Sequence, residues 1–96
     1  MKVILRRTIY CHSQERGLIS NCVFKEYNWK ISPVIGAIVD DTAWHRNDIT
    51  KIEEIIIHAE DGDAYYVNLN PLCVDSESSV NKYVEIAKSH YWKKEC

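Results

Sequence analysis

The sequence predicts an α+β fold: a small, mostly antiparallel sheet of four to five strands with one C-terminal helix. Three observations lead there. Short runs rich in β-branched and aromatic residues follow one another up to Leu69. A single apolar stripe at helical spacing occupies the last part of the chain. The 96 residues suffice for one domain built on one core, spanning 1–96, and leave no room for two. Several short strands in succession also fit a small SH3-like barrel, with the helix across one end, as the topological alternative.

Lys2 to Tyr10 reads as the first strand, and the polar stretch CHSQERG, ending in Gly17, as the turn after it. Leu18 to Phe24 gives a second strand, with Ile19, Cys22 and Phe24 as candidate inward residues. KEYNWKISP is a mixed connection, in which Pro33 forbids a central ladder position. Val34 to Val39 (VIGAIV) is the most continuous apolar run and reads as a strand, with Gly36 marking a bulge or a close backbone approach. Asp40-Asp41-Thr42 then turns the chain.

Residues 47–59 carry two signals. Ile49, Ile52, Ile56 and Ala59 recur near helical spacing, and Thr50 with Glu53 matches a capping box. Against this, Ile55-Ile56-Ile57 is stiff at χ1 and suits a pleated sheet. Asp61-Gly62 is a hairpin signal, and Tyr65, Val67 and Leu69 alternate with Tyr66 and Asn68. A strand from about Ile52 to Ala59 follows. Its register sets turn preference against burial. A two-residue Asp61-Gly62 turn pairs Ile56 with Val67 and mixes polar with apolar on each face. A longer loop pairs Ile57 with Val67 and Ile55 with Leu69, so that Ile55, Ile57, Ala59, Tyr65, Val67 and Leu69 face the core. Burying several large side chains, at roughly 1.5–3 kcal/mol each, outweighs a turn preference of about 1 kcal/mol, so the second register is expected. It puts His58 outward beside Tyr66. Finally, Asp75 or Ser76 caps a helix running to about Tyr91, with Val80, Tyr83, Val84, Ala87 and Tyr91 on one stripe.

The totals exclude several classes. With 46% hydrophobic and 27% charged residues, the chain is globular and not disordered. No run is long enough to span a membrane, and the start lacks the apolar core of a leader, so a cytoplasmic location is expected. Cys11, Cys22, Cys73 and Cys96 form no CxxC pair, which argues for free thiols over a zinc or redox site. No GxSxG, HExxH or phosphate-loop pattern occurs, so no catalytic residue and no cofactor is assigned.

Charge is uneven. Residues 1–32 carry a net +4, residues 33–79 a net −8 and residues 80–96 a net +2. The acidic middle includes HAEDGD, residues 58–63. An EF-hand loop begun at Asp61 would need Gly and Glu where Tyr66 and Leu72 stand. A transition-metal site would find only His58 and Glu60 on one strand face, too few ligands alone. The hairpin-tip reading prevails.

These features favour a small, non-enzymatic protein-binding module of the inhibitor, immunity-protein or phage-antagonist kind. Its acidic surface would meet a basic partner, such as a nuclease or another nucleic-acid-binding protein. The expected contact residues are Asp40, Asp41, Glu53, Glu54, His58, Glu60, Asp61, Asp63 and Tyr66, with Trp44 as an aromatic anchor. The alternative is direct nucleic-acid binding through Arg6, Arg7, Trp92, Lys93 and Lys94, which combine aromatic surface with cations. Because folding is read here as independent of metal, excess chelator should leave the melting temperature unchanged in scanning fluorimetry. A fall of many degrees would overturn the cysteine and hairpin-tip readings together.

Overall fold

The computed structural model describes residues 1–95. Two long strands form its centre, β1 (Lys2–Ser13) and β2 (Gly17–Asn28), an antiparallel hairpin paired from Lys2↔Asn28 to Ser13↔Gly17. Both outrun their expected bounds. Cys11, His12 and Ser13 extend β1, and the turn is confined to residues 14–16. There the Ser13 hydroxyl accepts from the N–H groups of Glu15 and Arg16, and Gly17 takes a positive φ of 72°.

A second antiparallel hairpin, β3 (Ile52–Ile56) and β4 (Ala64–Leu69), adds to the other side of β1, where β4 runs parallel to it. β5 (Leu72–Cys73) continues along that side of β1, and β6 (Lys93–Lys94) pairs with β2. The result is a six-stranded mixed sheet in the order β3-β4-β1-β2-β6, with the helix α1 (Glu77–Ser89) packed on β1 and β2. The sheet is open, with β3 and β6 as its edges, so it does not close as a barrel. The count exceeds four to five through the two-residue strands β5 and β6.

Alternation along β1 sorts its side chains cleanly. Val3, Leu5, Arg7, Ile9 and Cys11 are buried on the helix side, while Ile4, Arg6, Thr8, Tyr10 and His12 face the other way. Register carries this parity into β2, where Ile19 and Val23 face the core. Cys22 and Phe24, expected inward, stand opposite Thr8 and Arg6 on the outer face. Ile19 and Phe24 differ in parity and cannot share a face of one uninterrupted strand.

Val34 to Val39 is not a strand. Gly36, at φ 86°, turns the chain so that the Ala37 N–H donates to the Val34 carbonyl, and only the Ile38↔Lys51 bridge pairs the run. Val34, Ile35 and Ile38 stay exposed. β-branched composition favours a pleated surface only where a neighbouring strand supplies one.

The β3–β4 hairpin keeps the expected faces for its paired residues, but not the expected pairs, and Ile57 and Ala59 do not reach the core. Ile55, Tyr65, Val67 and Leu69 point inward, and Ile56, His58, Tyr66 and Asn68 outward. Ile55 nevertheless pairs with Val67 and Ile56 with Tyr66, two residues from the expected register. Asp61-Gly62 lies within a longer loop closed by a bond from the Gly62 N–H to the His58 carbonyl, and Ile57 and Ala59 are exposed in that loop. A shift of two preserves the faces of the residues that stay paired and gives up only the burial of Ile57 and Ala59. A bulge between Ile52 and Glu54 then turns Ile52 inward, to 2% exposure, despite its parity with Glu54.

Helix α1 starts at the Ser76 cap, whose hydroxyl accepts from the Ser79 N–H. Val80, Val84 and Ala87 are buried and Tyr83 is half-buried. The helix stops at Ser89, before the Tyr91 of the expected stripe. Tyr91 takes φ 71° and is 84% exposed, while the Trp92 N–H bonds back to the Ala87 carbonyl. That left-handed step drops the Trp92 ring into the core in place of Tyr91.

Residues 29–51 fold back over the helix-side face. Arg7, only 1% exposed, holds them there through a bidentate pair with Asp48 (2.6 and 2.8 Å) and a bond from its Nε to the Asn70 carbonyl. Asp48→Ala leaves that guanidinium buried without its counter-charge and should cost about 3–5 kcal/mol in urea unfolding. Replacing Arg7 and Asp48 together by Leu should cost less than the Asp48 change alone.

Candidate functional site

The acidic residues of the middle segment divide by burial. Asp41 is 8% exposed; its carboxylate accepts from the Tyr27 hydroxyl, the Ala43 N–H and the Trp92 Nε1, and Lys25 stands 3.6 Å away. Trp44 is buried too, edge-on to Trp92 at 5.2 Å between ring centroids, with the Arg7 guanidinium 4.6 Å over its ring. Asp41 and Trp44 are therefore parts of the core and offer no surface to a partner, contrary to the sequence reading. Asp40 is exposed but lies on the β2–β3 connection, apart from the hairpin.

Glu53, Glu54, Glu60, Asp61 and Asp63 are exposed on β3 and the loop after it. None of the five forms an ion pair among the described residues; Glu54 accepts only from the Asn68 amide, at 2.7 Å. His58 packs edge-on against Tyr66, with centroids 4.5 Å apart. This pair belongs to the sheet face that the helix leaves uncovered. Ile4, Phe24, Ile56 and Tyr66 form the apolar part of that face, around a groove of about 340 Å³ whose rim includes Arg6, His58, Asn68 and Glu95. The structure thus brings His58, Tyr66 and Glu54 together and sets the acidic loop at their border. Ile4, Phe24 and Ile56 were missed as site residues. The signal for Ile4 was present, since it alternates with the inward series of β1.

The basic alternative is dispersed. Arg7 and Trp92 are buried and reach no phosphate, which corrects their place in the nucleic-acid set. Arg6 is on the outer face but is engaged by Glu95 at 2.5 Å. Lys93 stands beside Phe24, while Lys94, its neighbour in β6, points to the opposite face. Cys11, Cys22 and Cys73 are free thiols, and Cys96 lies outside the described residues. No three His, Cys, Asp or Glu side chains converge as a metal-holding group among the described residues. No helix there is long and apolar enough to cross a membrane. Compared with protein-family models, curated proteins and solved structures, the chain matches none.

The Asp41 cluster has a pH signature. Burial pushes the carboxyl up, but the bonds from Tyr27, Ala43 and Trp92 and the charge of Lys25 together hold it below its ordinary 3.8. A carboxyl that is lower in the folded chain stabilises the fold above its unfolded value, and that contribution fades as pH falls through the folded one. Thermal stability should therefore decline on acidification below about pH 4. Asp41→Asn should lower the melting temperature at neutral pH and flatten this acid limb. An unchanged limb in thermal denaturation would show that Asp41 does not contribute to it.

Proposed function

We propose that this chain is a small, non-enzymatic protein-binding module acting in the cytoplasm. It holds a basic surface of its partner with the β3–β4 hairpin and the adjoining uncovered sheet face. One observation carries the reading: five exposed carboxylates with no ion pair among the described residues lie on the same hairpin whose Ile56, His58 and Tyr66 line a groove with apolar and aromatic walls. Buried apolar anchors supply affinity at interfaces, while surrounding charges speed encounter and choose the partner. Ile56 and Tyr66 fit the first role; Glu54, Glu60, Asp61 and Asp63 fit the second. A nuclease or another nucleic-acid-binding protein offers the complementary basic surface, so an inhibitor or immunity role follows from occupying it. The barrel and the direct nucleic-acid readings receive less support. Among the described residues the sheet stays open between β3 and β6, and Arg7 and Trp92 are buried.

The test is capture from a lysate by the tagged chain and by two surface variants with unchanged melting temperatures. Wild type should retain a basic protein that salt releases. The triple change Glu60→Lys, Asp61→Lys, Asp63→Lys and the single change Tyr66→Ala should each cut its recovery about tenfold, the loss expected from roughly 1.4 kcal/mol of binding energy. Equal recovery by all three overturns the proposal, as does salt-sensitive retention of single-stranded DNA in place of a protein.

A further inference from the structure

We infer that the outer edge of β3 accepts an extended, lysine- or arginine-bearing segment of the partner as an added strand. This rests on the protein-binding reading above and specifies how the partner is held.

The edge is partly built on already. The Ile52 carbonyl accepts from the Gly36 N–H at 2.8 Å, and the Ile52 N–H donates to the Ala37 carbonyl at 3.0 Å. The chain's own connection thus starts a neighbouring strand beside β3. It abandons that position at once, because the turn at Val34–Ala37 leads it away. Beyond Ile52, the outer backbone of β3 makes no backbone hydrogen bond among the described residues. A vacant strand position therefore continues the line of residues 36–39. Main-chain groups along such an edge are a template for an incoming strand.

An exposed isoleucine stands at each end of this edge. Ile35, 57% exposed, borders a hollow of about 520 Å³ that also includes Ile49, Lys51 and Glu53. Ile57, 58% exposed, borders a second hollow of about 290 Å³ at the end of the hairpin, which Lys2, Asp63 and Tyr65 also line. Side chains alternate along a strand, so an occupant with cations at one parity and apolar residues at the other would answer both features.

Charge decides between occupants. A second copy of the chain would set Glu53 and Glu54 against Glu53 and Glu54, and like charges directly opposite one another destabilise a strand pair. The bulge and paired acids that guard this edge against self-association leave it open to a strand of opposite sign. The occupant is a cationic segment of another protein.

The probe is an eight-residue peptide of alternating lysine and valine, titrated into the full chain and followed by amide NMR and hydrogen exchange. Binding should slow exchange at amides between Glu53 and Ile57 about tenfold. N-methylation of alternate peptide amides, which keeps charge but removes donors, should weaken binding about tenfold. The double change Glu53→Lys, Glu54→Lys, checked for an unchanged melting temperature, should do the same. An alternating glutamate–valine peptide should not bind. Absence of binding by the lysine–valine peptide at millimolar concentration overturns the inference. So does binding that ignores N-methylation, in which case strand addition fails while acidic recognition stands. Lysine–valine binding that also ignores charge reversal at Glu60, Asp61 and Asp63 counts against the broader reading as well.

Discussion

An arginine at 1% exposure in the middle of β1, one of the two long central strands, needs its charge answered inside the protein. Asp48 answers it with both carboxylate oxygens, Asn70 lends a carbonyl, and the Trp44 ring lies against the guanidinium plane. These partners come from the long β2–β3 connection and from the chain just after β4. Satisfying Arg7 thus draws an otherwise irregular segment onto the sheet. Asp41 secures the same segment further along, joining it to β2 through Tyr27 and to the chain after α1 through Trp92. The cover on this face is half helix and half loop, and buried charge holds the loop half.

Because that cover is complete on one side, the other side of the sheet is left bare. Nothing in the described chain crosses Ile4, Phe24, Ile56 and Tyr66 on the outer face. The acids follow the same division. Asp41 and Asp48 are structural and spend their charge on Lys25 and Arg7, whereas those of β3 and its loop have no such use. Net charge in the middle segment therefore overstates how much acid reaches the surface; Glu53, Glu54, Glu60, Asp61 and Asp63 gather on one hairpin, while Asp40, Asp75 and Glu77 are exposed elsewhere. Core pinning and surface recognition can then vary separately, since the two sets share no residue.

The β3–β4 hairpin shows what burial can and cannot select. Inward and outward faces are separated by several large side chains, so parity is strongly specified. Pairings two residues apart preserve those faces, and the choice between them falls to the loop geometry around Gly62 and to the bulge at Glu53. The bulge lets Ile52 reach the core although Glu54 and Ile56, its partners in parity, face out.

The sequence by itself determined what local periodicity reports. The cap at Ser76 and the spacing of Val80, Val84 and Ala87 set the helix, and alternation set the inward faces of β1 and β4. The exposed acidic loop and the His58–Tyr66 neighbourhood were legible for the same reason. Arg7 could have been read as buried, since it sits in register with Val3, Leu5, Ile9 and Cys11, but its partner lies 41 residues away. Trp92 likewise depends on Asp41, 51 residues away, and looks from its neighbours like an exposed basic–aromatic tail. The parallel β1–β4 pair, the register of β3 and the failure of Val34 to Val39 to form a strand belong to the same class. Each depends on which distant segment supplies a backbone or a counter-charge. Local pattern specifies faces; only the assembled chain specifies partners.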